Sequence, residues 1–147
     1  MCLNVIIKQE HKRIPESKAK IGYKLFRKTP EGRLIGIFNM SYDFFRTNNR
    51  ANRTRLKLMS FSKVTGSYSS GFHIWTNRKT AIKNLRHFKS SIMSLRTGVV
   101  VLYKVKYWGR VTIGKNRICD GRTDISIPLR CDVAECMDIL EEIKIFI

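Results

Sequence analysis

Carboxylates are scarce in this sequence, and one long stretch has none. The 147 residues include 11 Asp or Glu against 29 Lys or Arg, a formal net charge of +18. After Asp43 the next acid is Asp120, and the 76 residues between them contain 17 Lys or Arg. Ordinary surfaces mix both signs, and self-repulsion of this size destabilises a compact chain unless counter-charge is supplied. The imbalance therefore predicts an anionic partner.

Long apolar runs, metal motifs and nucleotide-binding motifs are also missing. No run approaches the ~18 to 20 apolar residues that span a bilayer, and the start MCLNVIIKQEHKR lacks the order of a signal peptide, so we expect a cytoplasmic protein without a membrane partner. In the cytoplasm we expect Cys2, Cys119, Cys131 and Cys136 to stay reduced, and because they form no close CxxC pair we expect no metal. The glycines form neither a P-loop nor a GxGxxG turn, so we expect no cofactor.

The charge is divided unevenly along the chain. Residues 1–119 carry 26 Lys or Arg against four acids, a net of +22, whereas residues 120–147 carry three bases against seven acids, a net of −4. The acidic C-terminal part could cover the basic surface or lie on the opposite side of the molecule. The sequence leaves both arrangements open.

Length and composition predict one domain over residues 1–147, since 43% apolar residues suffice for a core. The stretch AKIGYKLFRKTPEGRLIGIFNM predicts a strand hairpin with Pro30 and Gly32 in its turn. Residues 41–70 predict a long, irregular, basic excursion with one short strand at Leu56 to Phe61.

The second half predicts a strand, a helix and further strands. GFHIWT is β-rich and ends where Thr76 or Asn77 can cap an amphipathic helix over about residues 77–90. GVVVLYKVKYWGRVTIG predicts the central strand. ISIPLRCDVAECMDILEEIKIFI predicts one or two more strands, although its last part also fits helical spacing, and Pro128 indicates an edge or a break. The expected fold class is α+β, a small mixed or antiparallel sheet with one main amphipathic helix.

The candidate binding residues are cations that can contact phosphate, with one aromatic ring that could stack on a base. Phosphate contacts need little sequence recognition, and the competing interpretation is an ordinary solvated basic surface. The residues fall in the basic excursion, on the predicted helix and at the end of the central strand: Arg46, Arg50, Arg53, Arg55, Lys57, Arg78, Lys79, Lys83, Arg86, Trp108 and Arg110.

The partner that these residues predict is nucleic acid or another polyanion, bound by occlusion or sequestration rather than transformed. An acidic host protein or a nucleotide messenger would use the same charges. The sequence does not distinguish DNA from RNA and gives no oligomeric state.

Five short islands, namely MCL, GYKLF, GFHIWTNRKTA, VVLYKVKYWGRVTIG and VAECMDI, occur in an order that resembles a diverse group of short, uncharacterised proteins encoded by phages and mobile elements. The group has no activity to carry over. The resemblance implies context, namely a small accessory protein in the cytoplasm of a bacterial host, acting in counter-defence or host takeover. A virion or assembly component is an alternative in the same context.

A weaker likeness concerns the middle of the chain. A Gly-aromatic-His strand leading into a helix, followed by a long apolar strand that ends in glycine, resembles ADP-ribosyltransferase domains. That likeness implies His73 and Glu135 in a catalytic cleft, although the chain has neither the STS strand nor the ExE pair of that family. The competing interpretation of His73 is a structural hydrogen bond.

Overall fold

A computed structural model describes residues 5–9, 13–37, 45, 51–53, 58–60, 67–69, 71–89, 98–116 and 129–145. Within these ranges the chain forms a 3₁₀ turn at Glu16–Lys18, one α-helix, α1 (Arg78–Lys89), and nine strands. In chain order the strands are β1 (Val5–Gln9), β2 (Lys20–Lys28), β3 (Leu34–Gly36), β4 (Asn52–Arg53), β5 (Leu58–Ser60), β6 (Ser67–Ser69), β7 (Phe72–Trp75), β8 (Val99–Asn116) and β9 (Leu129–Glu142).

The predicted α+β class is wrong, because the described part of the chain is mostly antiparallel β-sheet with one short helix. The helix predicted at about 77–90 is present as α1, but it is an addition to the sheet rather than half of the fold. The segment whose spacing also fitted a helix lies inside β9, a strand of 14 residues. Strand β9 pairs with β8 from its first residue to its last, Leu129↔Asn116 to Glu142↔Tyr103. This pairing satisfies the backbone of β9 and outweighs the helical spacing of its apolar residues.

Strand β8 is the central strand, as the apolar run predicted. One of its edges pairs with β9 from Tyr103↔Glu142 to Asn116↔Leu129. Its other edge pairs first with β2, from Val99↔Lys28 to Tyr107↔Lys20, and then with β1. Val100, Val101 and Leu102 are buried on both faces, which explains why this part of β8 is continuously apolar.

The sheet closes on itself through β7. This short strand pairs with β9 along its length and with β2 through one residue pair, Tyr23↔Trp75. Strands β8, β2, β7 and β9 therefore form a ring, which is a small barrel with β1, β3 and β4 added at its edges. The predicted β2–β3 hairpin is confirmed, with the Thr29 N–H donating to the Arg33 carbonyl across its turn at 2.8 Å.

Two apolar clusters lie on the two faces of the sheet. One contains the buried helix residues Ala81, Leu85 and Phe88 together with strand residues that include Leu25, Val100 and Leu102. The other contains no residue of α1 and is built from the alternate positions of the same strands, such as Phe26, Val101 and Val105. Strand alternation thus supplies both clusters from one set of strands.

Strand β8 bends at a bulge between Trp108 and Val111, where two of its residues stand opposite Glu135. Gly109 has a φ of +83°, a conformation that residues with a Cβ rarely adopt. A Cβ placed on Gly109 would lie 2.7 Å from Glu135 Oε1 and 2.9 Å from its Cβ. Glycine is therefore needed here both for the backbone conformation and for the space.

Gly109→Ala should lower the free energy of unfolding by about 2 to 3 kcal/mol, because the strain of a positive φ adds to the clash with Glu135. Gly32→Ala is the matched control, since Gly32 has the same φ of +83° with nothing within 4 Å of its added Cβ. Urea denaturation of both variants separates the two contributions. Equal losses would show that the approach of Glu135 has no energetic weight.

The predicted excursion at residues 41–70 lies mostly outside the described residues. Its described parts include β4, β5 and β6, and β5 falls within the short strand predicted at Leu56 to Phe61. Pro128 also lies outside the described residues. Within the described part, the chain contains no helix of the length and apolarity that crossing a membrane requires.

Candidate polyanion-binding face

Helix α1 is held by a side-chain cap and an apolar stripe. Asn77 Oδ1 accepts a hydrogen bond from the Thr80 N–H at 3.2 Å, as the sequence predicted, and the Asn77 carbonyl accepts from the Ala81 N–H at 3.0 Å. Ala81, Leu85 and Phe88 pack against the sheet. This stripe fixes which side of the helix meets the core and leaves the other side in solvent.

The solvent side of α1 is cationic. Arg78, Lys79, Lys83 and Arg86 are all exposed. The last three are spaced i, i+4 and i+7, so they follow one side of the helix over roughly 10 Å of its axis. No Asp or Glu occurs anywhere in α1. The cap and the core contacts of α1 therefore hold a row of positive charges, without a carboxylate in the helix, on its solvent side.

Most carboxylates of β9 form ion pairs with cations outside α1. Each described ion pair of this strand joins a cation outside α1: Arg13–Glu135 at 3.2 Å, Lys28–Glu142 at 3.2 Å, Lys104–Glu141 at 3.7 Å and Arg130–Asp132 at 3.0 Å. The hydrogen bond to Glu142 is the main cause that raises the pKa of Lys28. Across the described residues, no carboxylate forms an ion pair with Arg78, Lys79, Lys83 or Arg86. Four of the five described β9 carboxylates thus pair with cations outside α1, and none of them neutralises the helix row.

The other predicted cations are only partly placed. Arg53 is exposed on β4 and Arg110 is exposed beside the bulge of β8. Arg46, Arg50, Arg55 and Lys57 lie outside the described residues. The predicted convergence of the excursion and the helix on one surface therefore stays a prediction.

Trp108 is not available as a stacking platform in this structure. Its side chain is 5% exposed, and the Lys106 ammonium lies 5.5 Å from the centre of its ring. The ring thus supports a lysine rather than presenting a free face to solvent. This placement removes Trp108 from the binding face that we propose below.

His73 pairs with Val133, two residues before Glu135 along β9. Among the described interactions, no hydrogen bond or ion pair joins His73 to Glu135. Glu135 Oε1 accepts from Arg13 Nε and from the Arg110 N–H, each at 3.2 Å. The Glu135 carboxylate therefore supports the bulge and an ion pair.

The His73 ring is largely enclosed, and its Nε2 is buried without a hydrogen-bond partner in the described part of the chain. Burial is the main cause that lowers the pKa of His73 to about 3, with the charge of Lys24 adding to it and a hydrogen bond to the Gly71 backbone opposing it. The ring is therefore neutral at physiological pH. A hydrogen bond to the backbone agrees with the structural interpretation of His73.

Lys24 links β2 to β7, two strands that share only one residue pair in the sheet. Its Nζ donates to the His73 carbonyl at 3.0 Å and lies 5.8 Å from the centre of the Phe26 ring. Loss of hydration lowers the pKa of Lys24 to about 8. Sequence reasoning missed this residue, because one lysine in a strand that alternates polar and apolar positions carries no signal of burial.

A second feature missed in the sequence is a buried polar group at the N-terminal part of β9. The Tyr107 hydroxyl donates to Asp132 Oδ2 at 2.8 Å, and Arg130 Nε donates to Asp132 Oδ1 at 3.0 Å. Asp132 is 1% exposed and Tyr107 is 2% exposed. Burial is the main cause that raises the pKa of Tyr107 far above its ordinary value, so the phenol stays protonated. The available signal was an acid between apolar residues of a predicted strand.

The described cysteines are free thiols. Burial is the main cause that raises the pKa of Cys131 to about 12 and also raises that of Cys136. Within the described ranges, no group of three His, Cys, Asp or Glu side chains is placed to hold a metal ion.

Comparison with known proteins adds no relative: no protein-family model, no curated protein and no solved structure matches the chain. The likeness to proteins of phages and mobile elements stays a prediction from the sequence.

Proposed function

We propose that this protein binds a polyanion, most readily nucleic acid, through the exposed side of α1. The observation that carries the proposal is the row formed by Lys79, Lys83 and Arg86, with the exposed Arg78 at the start of the helix. No described carboxylate neutralises any of these four cations. A regular helix packed on the sheet holds these charges in a row on a protruding surface. Such a surface suits an extended ligand better than a compact nucleotide, which needs a concave site.

Binding would proceed by phosphate contact and counterion release. Each cation that meets a phosphate releases condensed counterions, so affinity falls as salt rises. Four such contacts give a log–log salt slope of about −3.6 on duplex DNA and about −2.8 on a single strand. The protein would act by covering or sequestering the nucleic acid, because phosphate contacts position a ligand without reading its sequence.

The test compares two variants of equal net charge. Lys79→Gln, Lys83→Gln and Arg86→Gln together should weaken binding to a short labelled DNA duplex by at least tenfold and reduce the magnitude of the salt slope by about 2 to 3. The control carries Lys18→Gln, Lys115→Gln and Lys144→Gln, three exposed cations outside α1. Fluorescence anisotropy between about 50 and 200 mM salt gives both quantities.

The control should lose much less affinity than the helix variant. Equal losses would show that overall charge, rather than α1, determines binding. A flat salt dependence of the wild-type protein would overturn the proposal altogether.

The proposed setting is the cytoplasm of a bacterial host, where a phage accessory protein would use this surface in counter-defence or host takeover. What supports this setting is the order of the short sequence islands described above. The ADP-ribosyltransferase and virion-component hypotheses stay predictions from the sequence, as do an acidic host protein and a nucleotide messenger as partners.

A further inference from the structure

Strand β8 continues the helix-bearing face beyond α1. Val100 and Leu102 pack in the same cluster as Ala81, Leu85 and Phe88, so their side chains are on the side of the sheet that α1 covers. Alternation along the strand places Lys104 and Lys106 on that side as well. Two residues of a strand span roughly 7 Å, which is the approximate separation of these two positions.

Both lysines are half-exposed, and both are held by carboxylates that are themselves largely in solvent. Lys104 Nζ lies 3.7 Å from Glu141 Oε1, and the exposed fractions of the two side chains are 37% and 66%. Lys106 Nζ lies 3.3 Å from Glu16 Oε1, with exposed fractions of 31% and 60%. Asp138 pairs across the strands with Lys106 on the same face, but Glu16 makes the described ion pair.

We propose that the binding face extends from α1 onto Lys104 and Lys106, where Glu141 and Glu16 compete with the phosphates of a nucleic acid. This inference rests on the function proposed above. It adds a second pair of phosphate contacts to the helix row and assigns the two glutamates the role of intramolecular competitors.

The two ion pairs are weak enough for the phosphates of a ligand to displace the glutamates from the lysines. Ion pairs this exposed contribute little net stability, because solvent screens them and long side chains lose freedom in forming them. A nucleic acid held on α1 would bring phosphates close to Lys104 and Lys106 at high effective concentration. The Trp108 ring beside the Lys106 ammonium holds this lysine in place whether or not the lysine is paired with Glu16.

The test removes the competitors and keeps the lysines. Glu16→Gln with Glu141→Gln should tighten binding to a short labelled DNA duplex by about fivefold or more and increase the magnitude of the salt slope by about 1 to 2. The control, Glu31→Gln with Glu142→Gln, changes the net charge equally. Glu31 is exposed in the β2–β3 turn, and Glu142 pairs with Lys28, whose position in β2 alternates to the opposite face.

A third variant, Lys104→Gln with Lys106→Gln, should abolish the gain when it is added to the competitor-free protein. A gain in the control equal to that in the Glu16 and Glu141 variant would overturn the inference, because net charge alone would then explain it. Retention of the full gain without the two lysines would overturn it as well.

Failure of this inference and failure of the proposed function give different results. If the helix variant loses binding while the glutamate variant behaves like its control, binding through α1 stands and its extension onto β8 is wrong. If the helix variant binds as tightly as wild type, the proposed function itself is wrong.

Discussion

Asp132→Ala should lower the free energy of unfolding by about 2 to 4 kcal/mol, because it removes the acceptor of the buried Tyr107 hydroxyl and leaves a cavity. Arg130 adds less to this loss, because its side chain is 44% exposed and its charge can return to water. Urea denaturation followed by circular dichroism measures the change. The whole effect is expected in stability, since the described partners of Asp132 are Tyr107, Arg130 and Cys131, none of which belongs to the proposed binding face.

Two further variants identify the cause of that loss. Glu141→Ala removes a carboxylate from the same strand, but its ion pair is exposed, so it should change stability by about 1 kcal/mol or less. Tyr107→Phe removes the hydroxyl, and in combination with Asp132→Ala it should recover part of the loss, since no buried donor is then unsatisfied. An Asp132→Ala loss no larger than that of Glu141→Ala would contradict the assigned role of the buried hydrogen bond.

Acidification should destabilise the protein through His73. Its pKa is about 3 when folded, against an ordinary value of 6.5, so between these values the unfolded chain binds more protons than the native state. Stability therefore falls as the pH drops through this window, by at most about 1.4 kcal/mol per pH unit. From pH 7 to pH 5 the expected contribution of His73 is a loss of about 2 kcal/mol.

The measurement is a pair of urea titrations at the two pH values on wild-type protein and on His73→Gln. Glutamine cannot titrate and its amide can still donate to the backbone, so the pH dependence of the variant reports all other groups. The wild-type protein should lose about 2 kcal/mol more than His73→Gln over this range. Parallel pH dependence of the two proteins would show that His73 is protonated without cost in the native state.

The local elements of the fold were largely readable from the sequence. Pro30 and Gly32 marked the β2–β3 turn, the pair Thr76 and Asn77 marked the start of α1, and the apolar run after Gly98 marked the central strand. Each of these signals acts over a few neighbouring residues, so no tertiary contact is needed to interpret it. The fold class could not be derived in the same way, because the sequence left the last part of the β9 segment open between strand and helix, and pairing with β8 and β7 makes it a strand.

The candidate site likewise has a part that local sequence patterns predicted and a part that depends on tertiary contacts. The cations of α1 were predictable as an exposed row, since helical spacing alone separates them from Ala81, Leu85 and Phe88. Their availability to a ligand was not predictable, because it depends on which cations the carboxylates of β9 reach. The position of Trp108 was not predictable either, because its burial depends on strands that are distant along the chain.

By itself the sequence determined the charge imbalance, the amphipathic helix and the turn that opens the first hairpin, because composition and short-range periodicity are properties of neighbouring residues. Only the tertiary structure decided that β8, β2, β7 and β9 close into a ring, that Asp132 and Tyr107 share a buried hydrogen bond, and that every described ion pair of β9 joins a cation outside α1. The physical reason is that pairing register and ion pairing join residues far apart in the chain, and their energies depend on burial that no short segment contains.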